Sequence, residues 1–308
     1  MSTPAPMTVV LALDGSPSSV VARDLVAALP WPAGSTIHLL SAYTTPIDWT
    51  GGVGSTMDWI GDIEDATRDQ LTDELQALEA PIRERGISTQ LHVVGQRAAD
   101  AILAQARAVS ADLIVIGSRG RGRLPTLLLG SVAAEVADRA HCSVLVARRT
   151  TLSSVEIATD GSPTARAIPA QLAAWGLIGA TNAHVVAVAV PDSLLFQALV
   201  GISTLGDDRL ARMEREVKER TQTALDEMVA SLAEVGITAT PHLRSGDPAN
   251  EIIAVAAEQD VDLIVTGSRG LGGLDRVVLG SVARNVAVQA KSSVLVVRAP
   301  GAGTAAGS

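Results

Sequence analysis

Two stretches of this chain carry the same set of residues suited to holding an anion. Gly117-Ser118-Arg119-Gly120 is followed after nine residues by Gly130-Ser131, and Gly267-Ser268-Arg269-Gly270 is followed after nine by Gly280-Ser281. Each set comes after a short apolar run, Leu113 to Ile116 or Leu263 to Thr266, and before a stretch that reads as a helix. A strand, a glycine-rich loop and a helix N-terminus together direct backbone N–H groups and the positive end of a helix at one point, where a phosphate can sit. Glycine lets the backbone approach that phosphate, because a β-carbon would obstruct it or forbid the needed φ. Arg119, Arg121 and Arg123 can add charge-assisted contacts. The second copy keeps only Arg269 of these, with Leu271 and Gly273 at the other two positions. Two nucleotide-phosphate sites are expected, the second with the weaker grip.

The elements that must position these residues are duplicated as well. Aligned without a gap, 111–148 and 261–298 are identical at 23 of 38 positions. Asp14-Gly15-Ser16-Pro17 recurs as Asp160-Gly161-Ser162-Pro163. The repeat unit is roughly 145–150 residues, enough for a complete hydrophobic core. Val9 to Leu13 reads as a strand buried on both faces. Ser16 before Pro17 is a suitable N-cap and first helical residue. Further strands are expected over 36–42, 88–94, 113–116 and 143–147, with helices through about 29, over 62–85 with Gly86 as terminator, and near 98–109 and 131–140. The second unit repeats the order, with strands at 155–159, 184–190, 238–243, 263–266 and 293–297 and a long helix from Asp207 to Glu234. Strands alternating with helices imply an α/β fold with a doubly wound parallel sheet in each unit. The expected domains are 7–148 and 153–298, with a long mobile loop over 44–61 and a disordered tail over 299–308.

Composition narrows the function classes. The chain has 308 residues, 24 basic and 33 acidic, for a net charge of −9. That balance argues against a nucleic-acid partner, which normally requires a basic face. Cys142 is the sole cysteine and its repeat partner is Ser292, so packing is expected of it rather than redox chemistry. The N-terminal stretch is a poor signal peptide, and no apolar run approaches the length of a membrane span. The expectation is a cytoplasmic protein with neither nucleic acid nor membrane as partner. His38 and His184 correspond, as do His92 and His242; all four fall within strands without ligand spacing and read as structural. Asp62, Glu64, Asp65 and Asp69 read as a solvated helix face rather than a metal site.

Other phosphate motifs fit poorly. A dinucleotide fingerprint should follow the first strand of a unit, whereas this loop follows the fourth. A P-loop requires Lys-Ser/Thr where the chain has Arg123-Leu124 and Gly273-Leu274. Gly-x2-Gly-x9-Gly-Ser after strand four, with Asp-x-Ser after strand one, resembles the ATP-binding branch of the universal stress protein family, in its tandem two-domain form, over both units. That resemblance implies an adenine nucleotide alpha hydrolase-like sheet ordered 3-2-1-4-5 in each unit. It implies that Asp14 and Asp160 lie against the adenosine portion and that Ala42 and Val188 contact the adenine edge. Small Ala12 and Ala158 leave room at the mouth of strand one. Gly117, Ser118, Arg119, Gly120, Arg123, Gly130 and Ser131 would hold the phosphates of one ATP, and Gly267, Ser268, Arg269, Gly270, Gly280 and Ser281 those of another, with or without Mg2+. It also implies fifth strands paired as an internal pseudo-dimer, with a homodimer a further option.

Three functions remain open on the sequence. One is an ATP-binding regulator of growth or stress survival that acts through a protein partner. Another is a slow ATPase or phosphotransfer enzyme in which Asp14 or Asp160 orients water or holds Mg2+. The third is a nucleotide-free interaction scaffold. With no nucleophile–base pair visible, no residue is assigned a catalytic role.

Overall fold

The computed structural model describes residues 4–44, 58–120, 129–176, 182–190, 207–268, 270 and 279–298. The expected loop up to residue 57, Arg121, Arg123, Arg269 and the tail 299–308 lie outside the described residues. The chain divides close to Thr151 into two compact units.

In the first unit the elements run β1 (Thr8–Ala12), α1 (Pro17–Ala28), β2 (Thr36–Tyr43), α2 (Asp58–Arg83), β3 (Ser88–Gly95), α3 (Ala98–Ala108), β4 (Leu113–Gly117), α4 (Ser131–Arg139) and β5 (Ser143–Ala147). The strands are parallel and ordered β3-β2-β1-β4-β5. Val9, Val10 and Leu11 of β1 and Ile114 and Val115 of β4 have no exposed surface. Both central strands therefore read as continuous apolar runs, as strands covered on both faces must. The edge strand β3 is only half-buried and mixes polar with apolar residues.

The second unit contains β6 (Ser154–Thr159), α5 (Pro163–Arg166), α6 (Ile168–Trp175), β7 (Asn182–Ala189), α7 (Asp207–Glu234), β8 (Ala239–Ser245), α8 (Pro248–Glu258), β9 (Leu263–Gly267), α9 (Ser281–Gln289) and β10 (Ser293–Val297). Its parallel strands follow the same pattern, β8-β7-β6-β9-β10. In both units the strand order reverses between the first and fourth strands. Their C-terminal ends lead the chain away in opposite directions there and leave a crevice.

Local differences from the sequence expectation have local causes. Helix α2 begins at Asp58, inside the stretch expected to be loop. It ends at Arg83, and Gly86, at φ 74°, returns its N–H to the Arg83 carbonyl at 2.8 Å. The single helix α1 corresponds to two short helices in the second unit, separated at Ala167. Pro169 stands just beyond this break, and proline has no N–H to carry the helical ladder across it.

Candidate functional site

The turn after β1 is built around an aspartate. Gly15 adopts φ 72°, which a side chain would resist, and the chain folds back so that the Ser16 N–H donates to Asp14 Oδ1 at 3.0 Å. Ser16 then caps α1, its Oγ accepting the Ser19 N–H at 3.2 Å, and Pro17 opens the helix. The same hydroxyl donates to the Arg119 carbonyl at 3.2 Å, across 103 residues of sequence. Ser16 thus ties the β1 turn to the glycine loop after β4. The loop is pinned at its other end by the Gly130 N–H, which donates to the Ser118 carbonyl at 2.8 Å.

A cavity of about 410 Å3 opens here, between the C-terminal ends of β1 and β4 and the start of α4. Of the residues expected at the first site, Ala12, Asp14, Ala42, Gly117, Arg119, Gly120, Gly130 and Ser131 all line it. Ser118 is buried and is not part of the lining. The wall also includes Leu13, Leu40, Ile116 and Ser19, together with Ala98 and Ile102 from α3. The sequence reading missed these. Ala98 and Ile102 stand four apart, so they share one helical face, but nothing in the sequence says that this face turns toward the crevice.

The second unit reproduces the frame. Asp160 Oδ1 accepts the Ser162 N–H at 2.9 Å, Gly161 has φ 72°, and Ser162 Oγ accepts the Ala165 N–H at 3.3 Å. The Gly280 N–H donates to the Ser268 carbonyl at 2.9 Å. Ala158, Val188, Gly267 and Ser281 occupy the corresponding ends of β6, β7, β9 and α9.

The loop glycines meet a steric demand set by the protein itself. None of Gly117, Gly120, Gly130, Gly267 or Gly270 has a positive φ, so the expected conformational reason does not apply. A β-carbon on Gly117 would lie 2.6 Å from the Ser18 carbonyl carbon and oxygen, inside backbone of α1. On Gly120 it would lie 2.8 Å from Asp14 Oδ2, and on Gly270 2.8 Å from Asp160 Oδ2. Each aspartate therefore rests on its loop through one oxygen while the other holds its own turn. A carboxylate over a phosphate-type loop has two chemical uses. It can accept hydrogen bonds from a ligand hydroxyl or amine, or share a divalent cation with phosphate oxygens.

The two sites differ in what braces their helices. Arg97 donates to both oxygens of Glu135 on α4, at 2.7 Å each, and to Asp100 at 2.8 Å. Arg139 donates to Asp100 at 3.0 Å and pairs closely with Glu135. The Arg97 hydrogen bonds, helped by Arg139, hold the Glu135 carboxyl down at about 2. The network joins α3 to α4, the two helices that flank the cavity. The matching positions in the second unit are Asp247, Asn250, Asn285 and Gln289, which lack any cation; there Asp247 instead caps α8 through the Asn250 N–H at 3.0 Å. Beyond β5, burial pushes the Arg148 guanidinium down to about 10, and the like charge of Arg119 adds to the effect.

His38 Nδ1 lies 3.0 Å from His92 Nε2, and His184 Nδ1 lies 3.1 Å from His242 Nε2, away from either loop. Asp62, Asp65 and Asp69 are exposed on α2, and Cys142 is buried. Among the described residues, no group of three or more His, Cys, Asp or Glu side chains is placed to hold a metal ion, and no helix is long and apolar enough to cross a membrane.

The universal stress protein family matches residues 7–148 and again 154–298. The chain belongs to the universal stress protein family. It is 36% identical to Universal stress protein MJ0531 of Methanocaldococcus jannaschii over 146 residues, covering 47% of this chain and 82% of that protein. It is 27% identical to Universal stress protein Rv2005c of Mycobacterium tuberculosis over 197 residues, covering 61% of this chain and 62% of that one. Among solved structures, a universal stress protein from Archaeoglobus fulgidus superposes over 94% of this chain and 98% of its own, with a TM-score of 0.61 at 20% identity. That likeness concerns the fold alone. This universal stress protein therefore carries two family domains in tandem, each with its own crevice at the switch point.

Proposed function

We propose that this universal stress protein binds ATP at both switch-point crevices and acts as a nucleotide-dependent regulator of stress or growth through a protein partner. The observation that carries the reading is the first-unit cavity of about 410 Å3, lined by Asp14, Gly117, Arg119, Gly120, Gly130 and Ser131. Its volume lies within the range of small-molecule sites. One wall is apolar, from Leu40, Ala42 and Ile102, and suits a base; the opposite end is a glycine loop at the start of α4, which suits phosphates. A bound nucleotide would change the surface over the crevice at the start of α4 and so offer a partner two distinguishable states. Two family domains in one chain also support an internal pseudo-dimer.

Denaturing freshly purified protein and identifying the released nucleotide by mass spectrometry tests the reading. Close to two ATP per chain supports it. No nucleotide, together with no thermal stabilisation by millimolar MgATP, would sink it and leave an interaction scaffold, because ligand at 100 times its Kd adds about 2.7 kcal/mol per site.

The contact of Asp14 Oδ2 with the loop favours a second reading, slow ATP hydrolysis or phosphotransfer with Mg2+ shared between carboxylate and phosphate. Turnover that survives an Asp14→Ala/Asp160→Ala double variant would remove both carboxylates from that role.

A further inference from the structure

Val10 of β1 and Glu156 of β6 occupy the same position in the two units, and neither has any exposed surface. Val10 stands in register with His38 on β2 and Ile114 on β4; Glu156 stands in register with His184 on β7 and Ile264 on β9. Residues in register on adjacent parallel strands share a face, with the strands about 4.8 Å apart. Both carboxyl oxygens of Glu156 are buried without a hydrogen-bond partner, and so is Nε2 of its neighbour His184. Orphaned polar atoms are costly inside a protein, and these three are orphaned side by side.

One arrangement of protons would relieve two of the three. A protonated Glu156 that turns its O–H toward His184, in register beside it, would supply the donor that Nε2 lacks and leave its second oxygen as a neutral acceptor. His184 then carries its own proton on Nδ1 and donates it to His242 Nε2, 3.1 Å away. His242 is half-buried on the edge strand β8, so the chain runs from the middle of the sheet toward solvent. The first unit has the same histidine pair, His38 Nδ1 to His92 Nε2 at 3.0 Å, with the Gln105 amide at 3.3 Å from His92 Nε2. There the inner end meets Val10, which holds no proton. Among the described residues, the other charged groups acting on Glu156 are Arg244 of β8, which favours its ionised form, and Glu258 at the end of α8, which opposes it; the two are paired with each other. From β9 the facing residue is apolar Ile264.

We propose that Glu156, His184 and His242 form a proton relay in the second unit, and that the proton on Glu156 keeps this unit closed, so that separation of β6 from β7 releases it. Burial, the largest cause, pushes the Glu156 carboxyl up to about 9 from its ordinary 4.5. The folded unit therefore holds a proton that the opened unit gives up anywhere between those values. Raising the pH favours the opened form over that window, by up to about tenfold per pH unit, and the effect levels off above about 9. Asp160 follows β6 directly and Val188 is the penultimate residue of β7, so opening would loosen the second crevice; that consequence rests on the nucleotide reading, whereas the relay does not.

The test compares the full chain with Glu156→Gln between about pH 7.5 and 9, where histidines of ordinary value near 6.5 are largely neutral in the folded and opened forms. Hydrogen-exchange protection of β6 and β7 amides, expressed as wild type over variant at each pH, should fall steeply with pH, while the same ratio for β1 and β2 stays constant. A flat ratio, or an equal fall in the first unit, would overturn the proposal. Infrared spectroscopy at pH 7 should show a protonated carboxyl band in the wild type that Glu156→Gln lacks. His184→Phe should move that band to higher frequency by removing its acceptor; an unmoved band overturns the relay. Glu156→Val, which installs the first unit's own residue, supplies the reference if the glutamine variant folds poorly. ATP retention plays no part in any of these readouts, so the relay stands or falls apart from the proposed function.

Discussion

The carboxylate of Asp14 lies against Gly120, its Oδ2 2.8 Å from the place a β-carbon on that glycine would take, and Asp160 repeats the contact with Gly270 at the same distance. The pair joins the turn after the first strand to the loop after the fourth, although 106 positions separate Asp14 from Gly120. A methyl group at Gly120 would push the carboxylate aside, and only the end of a side chain has to move. Gly120→Ala should therefore fold with a thermal midpoint close to wild type but lose the nucleotide of the first unit, so that the released ATP drops from two per chain toward one. Gly270→Ala should do the same for the second unit. Retention of two nucleotides by Gly120→Ala would show that the Asp14 position is irrelevant to binding.

Gly117 differs in kind, because what its β-carbon would meet is backbone: Ser18 at 2.6 Å and the Ser19 nitrogen at 2.8 Å. Helix α1 would have to shift, and overpacking of this sort costs about 1–3 kcal/mol. At Gly267 the nearest atoms, the Ala165 backbone nitrogen and Cβ and Cγ2 of Thr164, are 3.3 Å away, so a shift of a few tenths of an ångström suffices. Chemical denaturation should thus find Gly117→Ala clearly destabilised and Gly267→Ala markedly less so. Equal losses would contradict the difference in packing.

Much of this was legible in the sequence because it is local or duplicated. Val9 to Leu13 announces a strand buried on both faces, Ser16-Pro17 announces a helix start, and two copies of the glycine pattern mark two crevices. Pairings between distant residues were less accessible. Ser16 Oγ reaching the Arg119 carbonyl, and Asp14 resting on Gly120, follow from β1 and β4 being neighbours, an order that came from family resemblance rather than from residue patterning. The α3 wall of the cavity was missed since Ala98 and Ile102 look like ordinary core positions. Glu156 was missed for a related reason: a single acid inside Val-Glu-Ile-Ala reads as an alternating half-buried strand, and only the covered sheet shows it to be interior.

Both histidine pairs predict the acid limb of stability. Burial, the largest cause, lowers the affinity of His38 and His92 for protons, and likewise that of His184 and His242; the charge of the neighbouring ring adds to this at His38 and His184. Below the ordinary value of 6.5 the unfolded chain therefore binds more protons than the folded one, and stability falls as pH drops. Proton NMR titration of the ring signals should place all four below 6.5, and in the Glu156→Val variant, which lacks the acid whose effect has the opposite sign in this window, the unfolding midpoint should decline from pH 7 to pH 5. Rings that titrate at 6.5 or above, with a flat midpoint over that range, would refute the assignment.

The bracing of α3 to α4 gives a contrast between the units. Glu135 is held near 2 by Arg97 and Arg139, below its ordinary 4.5, so its contribution is present above 4.5 and is lost as pH falls toward 2. The cations are exposed to solvent and screened by it, which keeps the contribution to stability small at neutral pH. Glu135→Gln should accordingly leave the unfolding midpoint at pH 7 nearly unchanged, at low salt as at high salt. The larger effect is expected on geometry, since Glu135 sits on the helix whose first residue, Ser131, lines the cavity. Titration of ATP into nucleotide-stripped protein should show weaker binding at one of two sites, with the second-unit site unaffected because it has Asn285 at this position. Unchanged affinity at both sites would mean that the ion-pair network braces the helices without reaching the loop.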